Sequence, residues 1–105
     1  MNRKLVVIVL TAAILLIVPA AFAAADGAAL YKAKCASCHG ADGSGQTAMG
    51  KAMKLRDLRS PEVQKQSDAE LTKVTADGKG KMPAYKGKLT DAEISALVAH
   101  MRTLK

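Results

Sequence analysis

Residues 32–40 read KAKCASCHG. Cys35 and Cys38 stand three apart, and His39 follows the second cysteine directly. Several chemistries use thiols and imidazole at short spacing. A redox-active Cys-x-x-Cys wants a βαβ setting, and no stretch of this chain alternates long enough to make a strand. A zinc site wants four ligands, and of cysteine and histidine the chain offers only Cys35, Cys38, His39 and His100. A plain disulfide between Cys35 and Cys38 needs only an oxidising compartment.

The full order, Cys-x-x-Cys-His, is also the attachment sequence of c-type haem. The two thiols add to the two porphyrin vinyl groups as thioethers. The short spacing lets one helical turn present both sulfurs to one edge of the ring. The next residue is then aimed at the iron, so Cys35 and Cys38 become the covalent anchors and His39 the proximal ligand. Haem attachment is the preferred reading, with the disulfide as its alternative.

The start of the chain supplies the compartment. Asn2-Arg3-Lys4 forms a basic head, and residues 5–18, LVVIVLTAAILLIV, are apolar apart from Thr11. Pro19 interrupts the run, and Ala21-Phe22-Ala23 and Ala23-Ala24-Ala25 both fit the small-residue cleavage rule. Residues 1–25 are therefore expected to be a signal peptide, cut after Ala23 or Ala25, with one domain over 26–105. An uncleaved anchor is the alternative, since residues 5–25 carry no charge and are just long enough to span a bilayer. The expected location is periplasmic or otherwise exported. Without Arg3 and Lys4 the domain has 14 Lys and Arg against nine Asp and Glu, a formal charge of +5. Its only aromatic residues are Tyr31 and Tyr85. So small a domain buries little surface, and this one lacks something large and flat in its core.

Helix signals fill most of the rest. Asp26 can cap a first helix over DGAALYKAKCA. The stretch HGADGSGQTAMGKAM, residues 39–53, is glycine-rich and reads as loop. Ser60-Pro61 starts a short helix. Ser67 and Glu70 form a capping box for a helix with Leu71 and Val74 inside and Gly78 as its stop. KGKMPAYKGKL reads as loop, because Pro83 pushes Met82 out of helical conformation. Thr90 and Glu93 repeat the capping box, and Ile94, Leu97, Val98, Met101 and Leu104 mark one face of the last helix. The fold class is all-α, with about four helices.

A haem iron has a second axial face. Histidine there gives a low potential, methionine a higher one, and an open position allows ligand or peroxide chemistry. Met101 reads as core on the last helix, and Met49 and Met53 as flexible filling against the ring. Met82 lies in a turn between Gly78, Gly80 and Pro83 that can bring it over the iron, so Met82 is the expected second ligand. Met49 or Met53 is the first alternative as ligand, and His100, on the last helix near its apolar face, the second.

CASCHG at 35–40, KMPAY at 81–85 and the order helix, haem motif, loop, helices, Met-Pro, final helix resemble the class I mono-haem cytochromes c. The chain is similar to the short bacterial kind, like the soluble photosynthetic carriers. The Met-Pro pair comes 43 residues after His39. Gly27 and Tyr31 resemble the Gly-x-x-x-aromatic pattern of the family's first helix, which crosses the last. The resemblance implies a small cytochrome c fold wrapped around one covalent haem c, with the N- and C-terminal helices crossing. Two features depart from it. His100 stands where such proteins usually carry Tyr or Trp against the first helix. No Trp is present to hold a haem propionate, and Arg56 and Arg59 are the candidate substitutes, since Arg matches a carboxylate bidentately.

The expected function is an exported carrier of single electrons, not an enzyme, working through a His/Met haem. The alternative is a ligand-binding or peroxidase-like protein in which Met82 leaves the iron. Lys32, Lys34, Lys51, Lys54, Lys79, Lys81, Lys86 and Lys88 crowd the regions expected around the haem edge. They would steer a monomer toward redox partners with acidic docking patches. A nucleic-acid reader is excluded, because Tyr31 and Tyr85 are too few aromatics among these charges and the chain is expected to be exported.

Overall fold

The computed structural model describes residues 25–105. The expected signal peptide falls, but for Ala25, outside the described residues. Six helices follow one another: α1 (Gly27–Lys34), α2 (Ala36–His39), α3 (Ala48–Met53), α4 (Pro61–Gln64), α5 (Asp68–Asp77) and α6 (Asp91–Arg102). Extended pairing among the described residues is confined to two isolated bridges, Lys79 with Met82 and Lys86 with Leu89. The all-α expectation holds.

The helix starts follow the capping residues. Asp26 accepts from the Ala29 N–H, Ser60 from Val63 and Ser67 from Glu70. At α6 the box is reciprocal: Thr90 Oγ1 accepts from the Glu93 N–H, and Glu93 Oε1 accepts from the Thr90 N–H. At α5 only the serine half of the expected box forms.

Two expectations are corrected. Residues 48–53 are helical, not loop, because Thr47 caps them from the side chain and Gly50 sits at the third helical position. The helix count rises from about four to six, since the cysteine motif also forms its own short turn, α2, after a break at Cys35.

The crossing of α1 and α6 organises the packing, with α5 against α6, the short α2 beside α1 and α3 against α2. Tyr31 on α1 is buried, and its ring lies 5.0 Å from that of His100 on α6 at 45°. The compact apolar cluster is small: Val63, Leu71, Val98 and Met101, flanked by Leu58 and Leu104. Burying Ile94, only 1% exposed, adds about 2 kcal/mol in the usual area accounting. Arg102 closes the C-terminal end. Its guanidinium donates to the Gln64 carbonyl at 2.7 Å, to the Gln66 carbonyl at 2.5 Å and to Asp68 at 3.0 Å.

Candidate haem site

Where a larger core would lie, the helices and loops border a half-open cavity of about 840 Å³. Cys35, Cys38 and His39 line it from one segment and Met82 from another. Apolar side chains including Leu55, Leu58, Val74, Leu97 and Val98 complete the wall.

Local folding shapes the cysteine motif. Gly40 has φ of 84°, which ends α2, and its N–H donates to the Ala36 carbonyl at 2.8 Å. The carbonyls at the end of α2 then find partners downstream. Gly45 N–H donates to the His39 carbonyl at 2.7 Å, and Thr47 Oγ1 donates to the Cys38 carbonyl at 2.6 Å. The buried Tyr31 hydroxyl donates to the Gly40 carbonyl at 2.7 Å. These bonds satisfy backbone acceptors that a four-residue helix would otherwise leave open.

Electrostatics agree with a bound metal group. His39 Nδ1 is buried without a hydrogen-bond partner. Burial lowers the His39 pKa, which favours the neutral imidazole a metal needs. Both cysteines are free and half-buried. Burial and then the neighbouring Cys38 push the Cys35 thiol up. The unsatisfied imidazole, the two unpaired thiols and the apolar cavity together fit a haem attached through Cys35 and Cys38. Zinc gains no support, as no group of three or more His, Cys, Asp and Glu is gathered among the described residues.

Met82 is carried by a strap, residues 79–89, that follows α5. Lys79 N–H donates to the Met82 carbonyl at 3.2 Å, and Met82 N–H returns a bond to the Lys79 carbonyl at 2.9 Å. Tyr85 and Lys86 N–H groups donate to the Thr75 and Ala76 carbonyls, the open acceptors at the end of α5. Gly78, with φ of 75°, lets the strap backbone pass close. A Cβ there would lie 2.6 Å from the Met82 carbonyl oxygen.

The other candidates separate. Met53 and Met101 line the cavity, whereas Met49 is 52% exposed and does not fill against a ring. Its place on the outer side of the unforeseen α3 explains the difference. His100 packs on Tyr31 and is not among the cavity-lining residues. Arg56 lines the cavity. Arg59 does not, and its guanidinium holds Asp57 through two bonds of 2.9 Å, with Asp42 at 3.8 Å. The hydrogen bonds from Arg59 hold the Asp57 carboxyl below its ordinary range. Of the eight lysines singled out, Lys34, Lys54, Lys79 and Lys81 stand at the cavity, and all eight are exposed. Thr47 and Tyr85 escape a reading by motif. Thr47 carried a capping signal that the surrounding glycines masked, and the Tyr85 contact joins residues too far apart to be read locally.

Residues 22–101 match the family described as cytochrome C oxidase, cbb3-type, subunit III. The cytochrome c-553 of Nitratidesulfovibrio vulgaris (strain DSM 19637 / Miyazaki F) is 40% identical over 110 aligned positions, covering 99% of this chain and all of that one. The cytochrome c6 of Leptolyngbya boryana is 37% identical, covering 74% of this chain and 88% of its own length. Among solved structures, the KustC0563 c-type cytochrome superposes with a TM-score of 0.71 at 36% identity, over 76% of this chain and 98% of that one.

Proposed function

The chain is a class I mono-haem cytochrome c, in the domain family described as cytochrome C oxidase, cbb3-type, subunit III, and on that premise we propose that it is an exported carrier whose iron is held by His39 and Met82. Its cofactor is one covalently attached haem c. It transfers electrons and is not an enzyme. The observation that carries the ligand assignment is that His39, both thiols and Met82, from two separate segments, line one apolar cavity.

Bound there, haem c supplies a one-electron ferric/ferrous couple. Cys35 and Cys38 anchor it by thioethers. The α2 turn aims the His39 imidazole, and burial keeps that ring neutral. The strap holds the Met82 thioether, whose softness favours the ferrous state and raises the potential. With His39 and Met82 both holding the iron, the protein would leave no open position for a substrate. The apolar wall excludes water, which further tunes the potential. Arg56, exposed at the cavity, takes the role of propionate partner, while Arg59 is spent on Asp57.

Lys34, Lys54, Lys79 and Lys81 form a basic rim that fits acidic docking patches on redox partners of a monomeric carrier. Among the described residues no helix is long and apolar enough to cross a membrane. Export rests on residues 1–25, with cleavage after Ala23 or Ala25. Mass measurement of the chain from a periplasmic extract tests this: a first residue at Ala24 or Asp26 supports it, and a full-length chain held in membranes overturns it.

The ligand assignment is tested by the optical spectrum of the ferric holoprotein. The weak far-red band given by methionine sulfur on ferric iron is expected, and Met82→Ala removes it while the haem stays covalently attached. A wild-type spectrum without the band overturns the assignment.

A further inference from the structure

The strap is held along one side by backbone bonds to α5 and within itself by the Lys79–Met82 pair. Neither set reaches the segment that carries the cysteines. One side chain does. The Tyr85 hydroxyl donates to the Lys34 carbonyl at 3.1 Å. Among the described residues this is the one hydrogen bond between residues 79–89 and residues 27–47. Lys34 ends α1, so its carbonyl is an open helix-terminal acceptor, and Cys35 follows it directly. Tyr85 itself lines the cavity beside Met82.

The strap is also rich in glycine. Gly78, Gly80 and Gly87 have φ of 75°, 57° and 84°, and a Cβ at Gly80 or Gly87 would meet nothing within 4 Å. The Tyr85 and Lys86 N–H groups bond α5 from between Gly80 and Gly87, so they tie this part of the strap to α5 and not to the cysteine segment.

We propose that Tyr85 is a positioning residue, a latch that holds the Met82 strap shut against the end of α1 and so sets how often the methionine leaves the iron. This rests on the assignment of Met82 as a ligand. The hydroxyl does no chemistry on the iron. It adds the net worth of one hydrogen bond to the closed state, on the order of a three- to tenfold bias.

The test compares ferric holoproteins: wild type, Tyr85→Phe, Met82→Ala and Thr90→Ala. Excess imidazole is added, and the limiting rate of far-red band loss is read by stopped flow. Tyr85→Phe keeps the ring and the band and is expected to raise the limiting rate about three- to tenfold. Thr90→Ala, which removes the α6 cap, is expected to weaken global stability in a denaturant titration and leave the imidazole rate unchanged. Equal rates for wild type and Tyr85→Phe overturn the latch while leaving Met82 as ligand. Equal acceleration by Thr90→Ala also overturns it, because opening would then be global. A wild-type protein without the band, or a band that survives Met82→Ala, overturns the ligand assignment and the latch together.

Discussion

Gly27 in α1 meets Ala96 in α6 so closely that a side-chain carbon on the glycine would overlap the Ala96 carbonyl. The same carbon would lie 3.3 Å from the His100 Cβ. Gly27 has an ordinary helical conformation, so glycine is needed here for space and not for backbone freedom. The contact lets the helices cross near enough for the Tyr31 and His100 rings to meet.

Gly27→Ala is therefore expected to push α1 and α6 apart. Overpacking of this kind costs about 1–3 kcal/mol. Denaturant titration of the holoprotein reads the loss. The far-red band should persist under native conditions, because neither His39 nor Met82, the proposed ligands, lies on these helices.

Tyr31 gives a prediction in pH. Burial above all pushes its phenol from 10.0 up to about 12. A raised folded pKa means the unfolded chain gives up the proton first. The corresponding stability is complete below pH 10 and is lost as pH rises through 12. Unfolding measured from pH 9 to 12 should show this fall. In Tyr31→Phe the fall should be shallower, on a protein already weakened by losing the bond to the Gly40 carbonyl.

Lys54 ends α3 with φ of 53° and ψ of 48°, the one non-glycine residue with positive φ among those described. For an L-residue that conformation costs about 1 kcal/mol. Lys54→Gly should recover a gain of about that size in denaturant titration. It also removes a charge from the cavity rim, so transfer to an acidic partner should slow at low salt.

The rim can be probed directly. Lys81→Glu reverses a charge at the cavity. It should slow electron transfer to an acidic partner at low ionic strength, with the difference from wild type closing as salt is raised. Lys105→Glu, exposed at the chain end, makes the same change in net charge away from the rim and should leave the rate near wild type. Equal slowing by both variants would mean that net charge, not a docking rim, governs the encounter.

Much of this arrangement was legible in the sequence because it is local. Cys35, Cys38 and His39 lie within one helical turn, and the caps at Asp26, Ser60, Ser67 and Thr90 act within three residues. The Gly27–Tyr31 pattern was readable through its resemblance to the first helix of the cytochrome c family. What escaped depends on partners distant in the chain or on a local signal outvoted by composition. Thr47 caps α3 amid glycines that argue for loop. Arg59 bonds Asp57 two residues away, a contact set by loop geometry. The Tyr85 bond to Lys34 spans 51 residues, and nothing around either residue announces the other.

The downstream bonds of α2 bear on any attempt to transplant haem attachment to another scaffold. Cys-Ala-Ser-Cys-His makes only four residues of helix, too few to be stable alone. Its shape is borrowed from Gly45, Thr47 and Gly50. The first two bond the His39 and Cys38 carbonyls, and Gly50 leaves room where a Cβ would lie 2.7 Å from the Cys38 carbonyl oxygen. Tyr31 supplies the remaining tie from upstream. The portable unit is thus the whole stretch from Asp26 to Gly50. A graft of the pentapeptide alone would carry the reactive groups without the frame that aims them.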